Sequence, residues 1–468
     1  MTFKEHPLQR RDFLRGALAT AVIIPAAATL ASCAPTGGST KPATGKVTEK
    51  NPFGMAANST VDAVIFKGGY GIDYAQFAGE QVEKAQKGSK VKVVAQTNIA
   101  QTLQPRFVAG NPPDVIDNSG VGNIGIATVL TQLEDLTDVI NSKNFEGKVI
   151  KDTLYPGVLA PGTFGDRLAA INYVLTVFGV WYSASLFEEN GWEVPKTWDG
   201  MMELGAKAKA KGKYLFCWGK EAANYYLTLA MSSAIKEGGH EVRLALDNLE
   251  EGCWSHPAMQ GVLKALKKII DAGYMKPGGS GTQFTAAQAQ WSNDQDAILY
   301  PAGSWIENEM KTQTKAGFKM TGAPEPTVTS GSKLPWEALH STAAEAYIVP
   351  SKGKNVAGGK EYLRAMLSHE AATNFAKTIL SSTIVKDTIP ADGFGSTALV
   401  SQVKMLEGAG KNVYTWGFVD VYGLNAEFLV LWNTFLDGQS DVATLTAGMQ
   451  GITDKVRNDS SVKKVTVS

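Results

Sequence analysis

Charge of one sign is what this chain lacks: 45 Lys and Arg stand against 45 Asp and Glu, for a formal net charge of zero. No basic stripe runs along it, so the field that attracts phosphate backbones is missing and nucleic acid is not expected as a partner. Cysteine is scarce, at three residues. The five His (His6, His240, His256, His340, His369) are scattered, without a His-x-x-x-His or Cys-x-x-Cys spacing, so neither a metal site nor a cofactor is expected. After residue 33 there is no membrane span and no internal repeat. A glycine-rich loop occurs at residues 68–71, but no GxxxxGK(S/T) or complete GxGxxG accompanies it, which argues against phosphate binding.

What is present begins with an export signal. Residues 6–15 carry three Arg, and residues 16–32 are uncharged and rich in Ala, Ile, Val and Leu. Arg10-Arg11-Asp12-Phe13-Leu14 reads as a twin-arginine signal, with Gln9 where Ser or Thr is commoner. Leu30-Ala31-Ser32-Cys33 resembles the lipobox of bacterial lipoproteins, which implies cleavage before Cys33 and its lipidation, with the protein held at the extracellular face of the cell membrane. In that oxidising setting Cys217 and Cys253 can pair or remain buried and free, and their sequence separation decides neither.

At 468 residues the chain is long for one core, and two lobes are expected. Residues 34–58, rich in Pro, Gly, Thr, Ser and Lys, read as a flexible tether. The body opens with strand and helix in alternation: β-type runs at 61–66, 90–95 and 114–117, a helix over 74–87, and Ile99, Leu103 and Phe107 at i, i+4, i+8. That pattern predicts an α/β fold with a parallel sheet and ligand loops at the carboxyl ends of its strands. Further on, Thr197 is placed to cap a helix bearing Met201, Leu204 and Ala208, and the run from Met259 to Ile270 carries an apolar stripe at helical spacing.

Four stretches then carry a family likeness. They are Asn111-Pro112-Pro113-Asp114-Val115-Ile116; Gln132-Leu133-Glu134-Asp135-Leu136-Thr137-Asp138; the run from Trp181-Tyr182-Ser183 through Gly191-Trp192 to Pro195-Lys196-Thr197-Trp198-Asp199; and Ala302-Gly303-Ser304-Trp305, with the helix pair of 354–375 behind it. In this order they resemble the extracellular solute-binding proteins of carbohydrate ABC importers, the maltose-binding-like family, although Ser183 stands where the family usually has Asn. Lys67-Gly68-Gly69-Tyr70-Gly71 and Asp117-Asn118-Ser119-Gly120 are similar to the actinobacterial N-acetylglucosamine and diacetylchitobiose-binding lipoproteins. The resemblance implies a two-lobed periplasmic-binding-protein fold, hinged around a ligand cleft. Lobe 1 is expected over 59–172 plus 343–395 and lobe 2 over 173–330 plus 415–456, with crossings at 331–342 and 396–414. It also implies a monomeric, non-enzymatic subunit that takes a neutral carbohydrate to permease subunits driven by a cytoplasmic ATPase. N-acetylglucosamine or chitobiose is favoured over a malto-, cello- or xylo-oligosaccharide.

A neutral sugar offers hydroxyls and a C–H face, so its site needs a few fixed polar groups and flat apolar walls. The candidates are Tyr70 in the glycine loop, Asp117, Asn118 and Ser119 after the third strand, Trp305 after two small residues, Trp181, Trp218, Trp336 and Trp416, and Glu345. Asx-type turn bonding explains 117–120 as well as sugar contact does, and core packing competes for each Trp. Trp192, Trp198, Trp254 and Trp432 are expected to be structural. A lipid-anchored glycoside hydrolase is the reading from another class, since Asp117 and Glu345 could flank a glycosidic bond at about 5 to 9.5 Å.

Overall fold

The structure, a computed structural model, describes residues 44–120 and 122–467. The expected signal peptide with Arg10, Arg11 and Cys33 lies outside the described residues, as do residues 34–43 of the expected tether. At Glu49 and Lys50 the chain is already fastened to the body. Gln86 Nε2 and Arg364 Nη2 both donate to the Lys50 carbonyl, and Met55 is buried. The expected tether therefore ends well before residue 58, because its apolar Met55 and its free carbonyls find partners in the first lobe.

Val, Ile and Phe recur through Thr60–Phe66 (β1), and residues on both of its faces are buried, as a central parallel strand requires. It pairs in parallel with Lys90–Gln96 (β2) and Val115–Asp117 (β3). Helices Asp73–Ala85 and Ile99–Val108 cover opposite faces of these strands. A small hairpin of Thr163–Phe164 (β4) and Arg167–Leu168 (β5) precedes the longest strand, Ile171–Ser183 (β6). The remaining strands are Tyr214–Phe216 (β7), Ala297–Gly303 (β8), Met320–Ala323 (β9), Leu339–Ile348 (β10), Ser382–Thr383 (β11) and Val413–Tyr414 (β12). Together they form one sheet in the order β2-β1-β3-β10-β6-β8-β7, with β9 and β11 on β6 and β12 on β10.

The long strand serves both lobes. Its first part, through Val177, pairs antiparallel with β10 and β11, and Phe178 to Ser183 pair with β8 and β9. One apolar core gathers Val61, Tyr74, Tyr173, Tyr347 and Phe375, and the other gathers Val180, Trp198, Leu263, Trp254 and Trp432. Between them lies a small cluster of Val177, Leu339, Met405 and Ala409. Gly179 stands at this junction, where a Cβ would lie 2.5 Å from the Ala323 carbonyl oxygen.

Helix signals hold at the residue level. Thr197 Oγ1 accepts from Gly200 N and caps Trp198–Ala210, with Met201, Leu204 and Ala208 inward. In Pro257–Asp271 Met259, Val262, Leu263, Leu266 and Ile269 are buried, and Ser368 caps His369–Ile379.

Two buried features yield predictions. Cys217 and Cys253 are unpaired, with Cys217 Sγ facing the Ala287 carbonyl and Cys253 Sγ facing Gln450 Oε1. Burial pushes their thiols up to about 12 and about 11. Both should resist alkylation near neutral pH in the native protein and react fully in denaturant without reductant. A disulfide-linked peptide pair in a non-reduced digest would show otherwise. Lys236 is fully buried, and its Nζ donates to the Glu325 and Trp336 carbonyls and to Glu325 Oε2. Lys236→Ala leaves the Glu325 carboxylate unpaired and should cost about 3–5 kcal/mol in denaturant unfolding, with partial recovery in Lys236→Met combined with Glu325→Leu.

Candidate functional site

The glycine loop after β1 exists because of one ring. Phe66 lies beneath it, and a Cβ at Gly68 or Gly120 would come within 2.4 or 2.3 Å of that ring. The loops after β1 and β3 can therefore close over Phe66 only without side chains at these two positions. The loop meets the other lobe directly: Asn308 Nδ2, on helix Ile306–Met310, donates to the Gly69 carbonyl, and Lys311 Nζ donates to Asn308 Oδ1. Beside this contact is a cavity of about 740 Å³, bounded by residues 67–71, the outer face of Asp73–Ala85, the C-terminal part of His369–Ile379, and Phe284, Asn308, Glu309 and Lys311 from the second lobe. It is an inter-lobe cleft of ligand size.

Behind the loop stands an aromatic wall. Trp305 is partly buried, its Cβ 3.8 Å from where a Cβ on Gly69 would be, and it meets Phe178 and Tyr225 edge-on at 5.6 and 5.7 Å. Phe178 stacks on His340 at 4.5 Å, and His340 stacks on Trp416 at 3.5 Å with 14° between planes. Burial holds the His340 imidazole well below its usual range, at about 3, so it is a neutral ring in this stack. Phe178, His340, Trp305 and Trp416 come from β6, β10 and the ends of β8 and β12, and Tyr225 from helix Asn224–Gly238.

The loop after β3 is different in kind. Asn118 Nδ2 donates to the Ile124 carbonyl and Asn118 Oδ1 accepts from Ile124 N, which engages both ends of the amide in closing residues 118–124. Ser119 Oγ donates to Asp117 Oδ1 and accepts from Ala346 N. Tyr74 Oη donates weakly to Asp117 Oδ2 at 3.4 Å and pairs with Tyr347 Oη at 2.8 Å. Glu345 adds its carboxyl to Ser119 and Asp117, and it does so from a left-handed backbone, with φ of 55° in the middle of β10. Desolvation first, and then the neighbouring Glu345 charge, raises Asp117; desolvation raises Glu345 as well. Burial thus disfavours the charged form of both carboxyls, and Asp117 has Ser119 and Tyr74 as hydrogen-bond partners.

The structure thus sorts the sequence candidates. Tyr70 lines the cavity, although its hydroxyl points inward toward Thr176, Ser304 and Ser381 and makes no hydrogen bond among the described residues. Trp305 and Trp416 belong to the aromatic wall, and Glu345 is joined to Asp117 and Ser119. Trp181 and Trp218, expected as ligand contacts, are core residues instead. Trp181 is fully buried, its Nε1 donating to the Ala302 carbonyl. Trp218 is buried so closely that a Cβ at Gly279 would come within 2.1 Å of its ring. Asn118 is likewise placed as a turn residue, its amide engaged with both backbone groups of Ile124. Trp336 is partly buried at the second core under the Lys196 ammonium, 4.6 Å from its ring, and does not line the cavity. Sequence reasoning missed Phe178, Tyr225, His340 and Asn308. Only Asn308 had a usable signal, one helical turn after Trp305 and so on the same face.

No cluster of three metal-ligating side chains occurs among the described residues, and no described helix is long and apolar enough to cross a membrane. Residues 68–373 match the family described as bacterial extracellular solute-binding protein. A curated protein of Streptomyces coelicolor, the diacetylchitobiose binding protein NgcE, is 58% identical over the full length of both chains. Among solved structures, a chitin oligosaccharide binding protein aligns at TM-score 0.68 and 18% identity, over 84% of this chain and 98% of its own. RafE in complex with raffinose aligns at 0.65 and 20%, over 84% and 99%. These two share the two-lobed fold. Since the family and the full-length relative are binders, the chain is a binding protein and not an enzyme. It belongs to the bacterial extracellular solute-binding protein family.

Proposed function

We propose that this solute-binding protein captures diacetylchitobiose or a closely related N-acetylglucosamine saccharide for a carbohydrate ABC importer. The observation that carries the reading is an inter-lobe cavity floored by a glycine loop, in a chain 58% identical throughout to a diacetylchitobiose binding protein. Backbone amides of residues 68–71 suit sugar hydroxyls, and Trp305 offers a plane for the C–H face once Gly69 draws back. The sugar drives closure to the extent that it binds the closed form better than the open one. Glu345 and Asp117 act behind the cleft: they fix the loop after β3 against β10 and do no acid–base chemistry on the ligand. Export by Arg10-Arg11, lipidation at Cys33, anchoring at the outer face of the membrane and a monomeric state are part of the same reading.

Calorimetric titration should give one site for diacetylchitobiose and markedly weaker binding of maltose, cellobiose and xylobiose. Small-angle scattering should show a smaller radius of gyration with the bound sugar. Trp305→Ala should weaken binding by about 30-fold or more, a loss of about 2 kcal/mol. No heat from diacetylchitobiose at any concentration would remove the proposal.

Because the folded state raises the Glu345 and Asp117 pKa values, the stability they give is complete below the ordinary carboxylate range and is lost as pH rises through the raised values. Glu345→Gln, permanently neutral, should therefore gain thermal stability over the parent as pH goes from about 5 to about 8. A Tm difference that is flat or shrinks over that range would contradict the assignment.

A further inference from the structure

We propose that a second, water-sized pocket beside Trp305 receives one primary hydroxyl of the bound saccharide, which donates to the free oxygen of Glu325 and makes that buried carboxylate a specificity-determining residue. This rests on the capture reading above and adds to it the residue and the ligand group that meet.

The pocket is separate from the large cavity. It holds about 10 Å³, close to what one water molecule needs, and none of the residues around it borders the cavity of about 740 Å³. Phe178 and Tyr225 form part of its wall, and both meet the Trp305 ring edge-on. Phe178, Tyr225 and Thr228 are only partly buried, so the pocket has a mouth. A sugar lying on Trp305 has that mouth at its edge.

The acceptor in the pocket is unpaired. Glu325 is 1% exposed, and Lys236 Nζ donates to its carbonyl and to its Oε2, yet its Oε1 has no hydrogen-bond partner among the described residues. A buried carboxylate oxygen left without a donor costs free energy that a ligand donor recovers on binding. Water is a poor substitute here, because Phe178, Leu229, Pro301 and Ala302 present apolar surface where it needs about two to four polar partners.

Size and sign select the group. Room for one water admits a single hydroxyl and is too small for an acetamido group with its carbonyl and methyl. The free oxygen of a carboxylate only accepts, so the entering group must donate. Lys236 already supplies the counter-charge, so nothing favours a cationic amine over a neutral hydroxyl. On a pyranose stacked by its C–H face, the hydroxymethyl arm stands out from the ring and can turn into a narrow opening while the ring stays on Trp305.

The test is calorimetry on the full-length protein with diacetylchitobiose and its two mono-6-deoxy analogues, each lacking one primary hydroxyl. One analogue should bind about 10- to 100-fold more weakly, the worth of a hydrogen bond to a charged acceptor, and the other within about twofold of the unmodified sugar. In Lys236→Met combined with Glu325→Leu, which removes the carboxylate together with its cation, the three sugars should bind within about twofold of one another. Glu325→Gln, which keeps the shape of the side chain, should shrink the gap to about fivefold or less, and it decides the matter if the double variant does not fold. Equal binding of all three sugars by the parent, or variants that weaken all three by one factor and keep the gap, would overturn the inference and leave disaccharide capture standing. Failure of all three to bind the parent would remove the capture reading itself.

Discussion

The structure depends on one strand being shared. Ile171–Ser183 runs unbroken from the first apolar core to the second, hydrogen-bonded to β10 and β11 along one part and to β8 and β9 along the other. Each lobe is completed by a segment of the same strand, so neither closes its sheet without the other. Where the pairing changes hands, Gly179 allows the Ala323 carbonyl to approach within a distance that a Cβ would forbid. A small cluster of Val177, Leu339, Met405 and Ala409 includes the β6 residue just before the pairing changes. A junction of that size couples the lobes through backbone and a few side chains, which is the mechanical condition for hinge motion.

Ligand capture follows from where the aromatic rings sit on this junction. Phe178 is on the shared strand, His340 on β10, Trp416 just after β12, and Trp305 just after β8, so the stack is assembled from the connecting strands and not from either lobe alone. A displacement of the lobes moves these rings relative to the glycine loop. Asn308 reaching Gly69 adds one direct hydrogen bond beside the cavity.

Elsewhere the buried polar groups hold segments in place. Lys236 and Glu325 tie a helix of the second lobe to the returning chain, Arg364, paired with Glu361, holds Lys50 and Lys143 through their carbonyls, and Asp117, Ser119 and Glu345 lock the loop after β3. Each of these groups is desolvated and each has partners, the condition under which buried charge is tolerated. The left-handed backbone of Glu345 is the strained member, held by its carboxyl's contacts with Ser119 and Asp117.

Read alone, the sequence determined the α/β class, the first three strands and the helix stripes with Thr197 as a cap, because these follow from local spacing and composition. Tyr70 stood out in the sequence by its glycine-rich loop and Trp305 by the two small residues before it. Tertiary structure decided the rest. Trp181 lies in a core and Trp416 in the wall although both follow β-type runs, since which ring meets solvent depends on strands far apart in the chain. Asn118 had two uses open to it, and the loop from Asn118 to Ile124 took its amide for itself. Phe178 and His340 carry no signal of their own: their meaning arises only when β6 and β10 lie side by side, a pairing between residues more than 160 positions apart that no local pattern encodes.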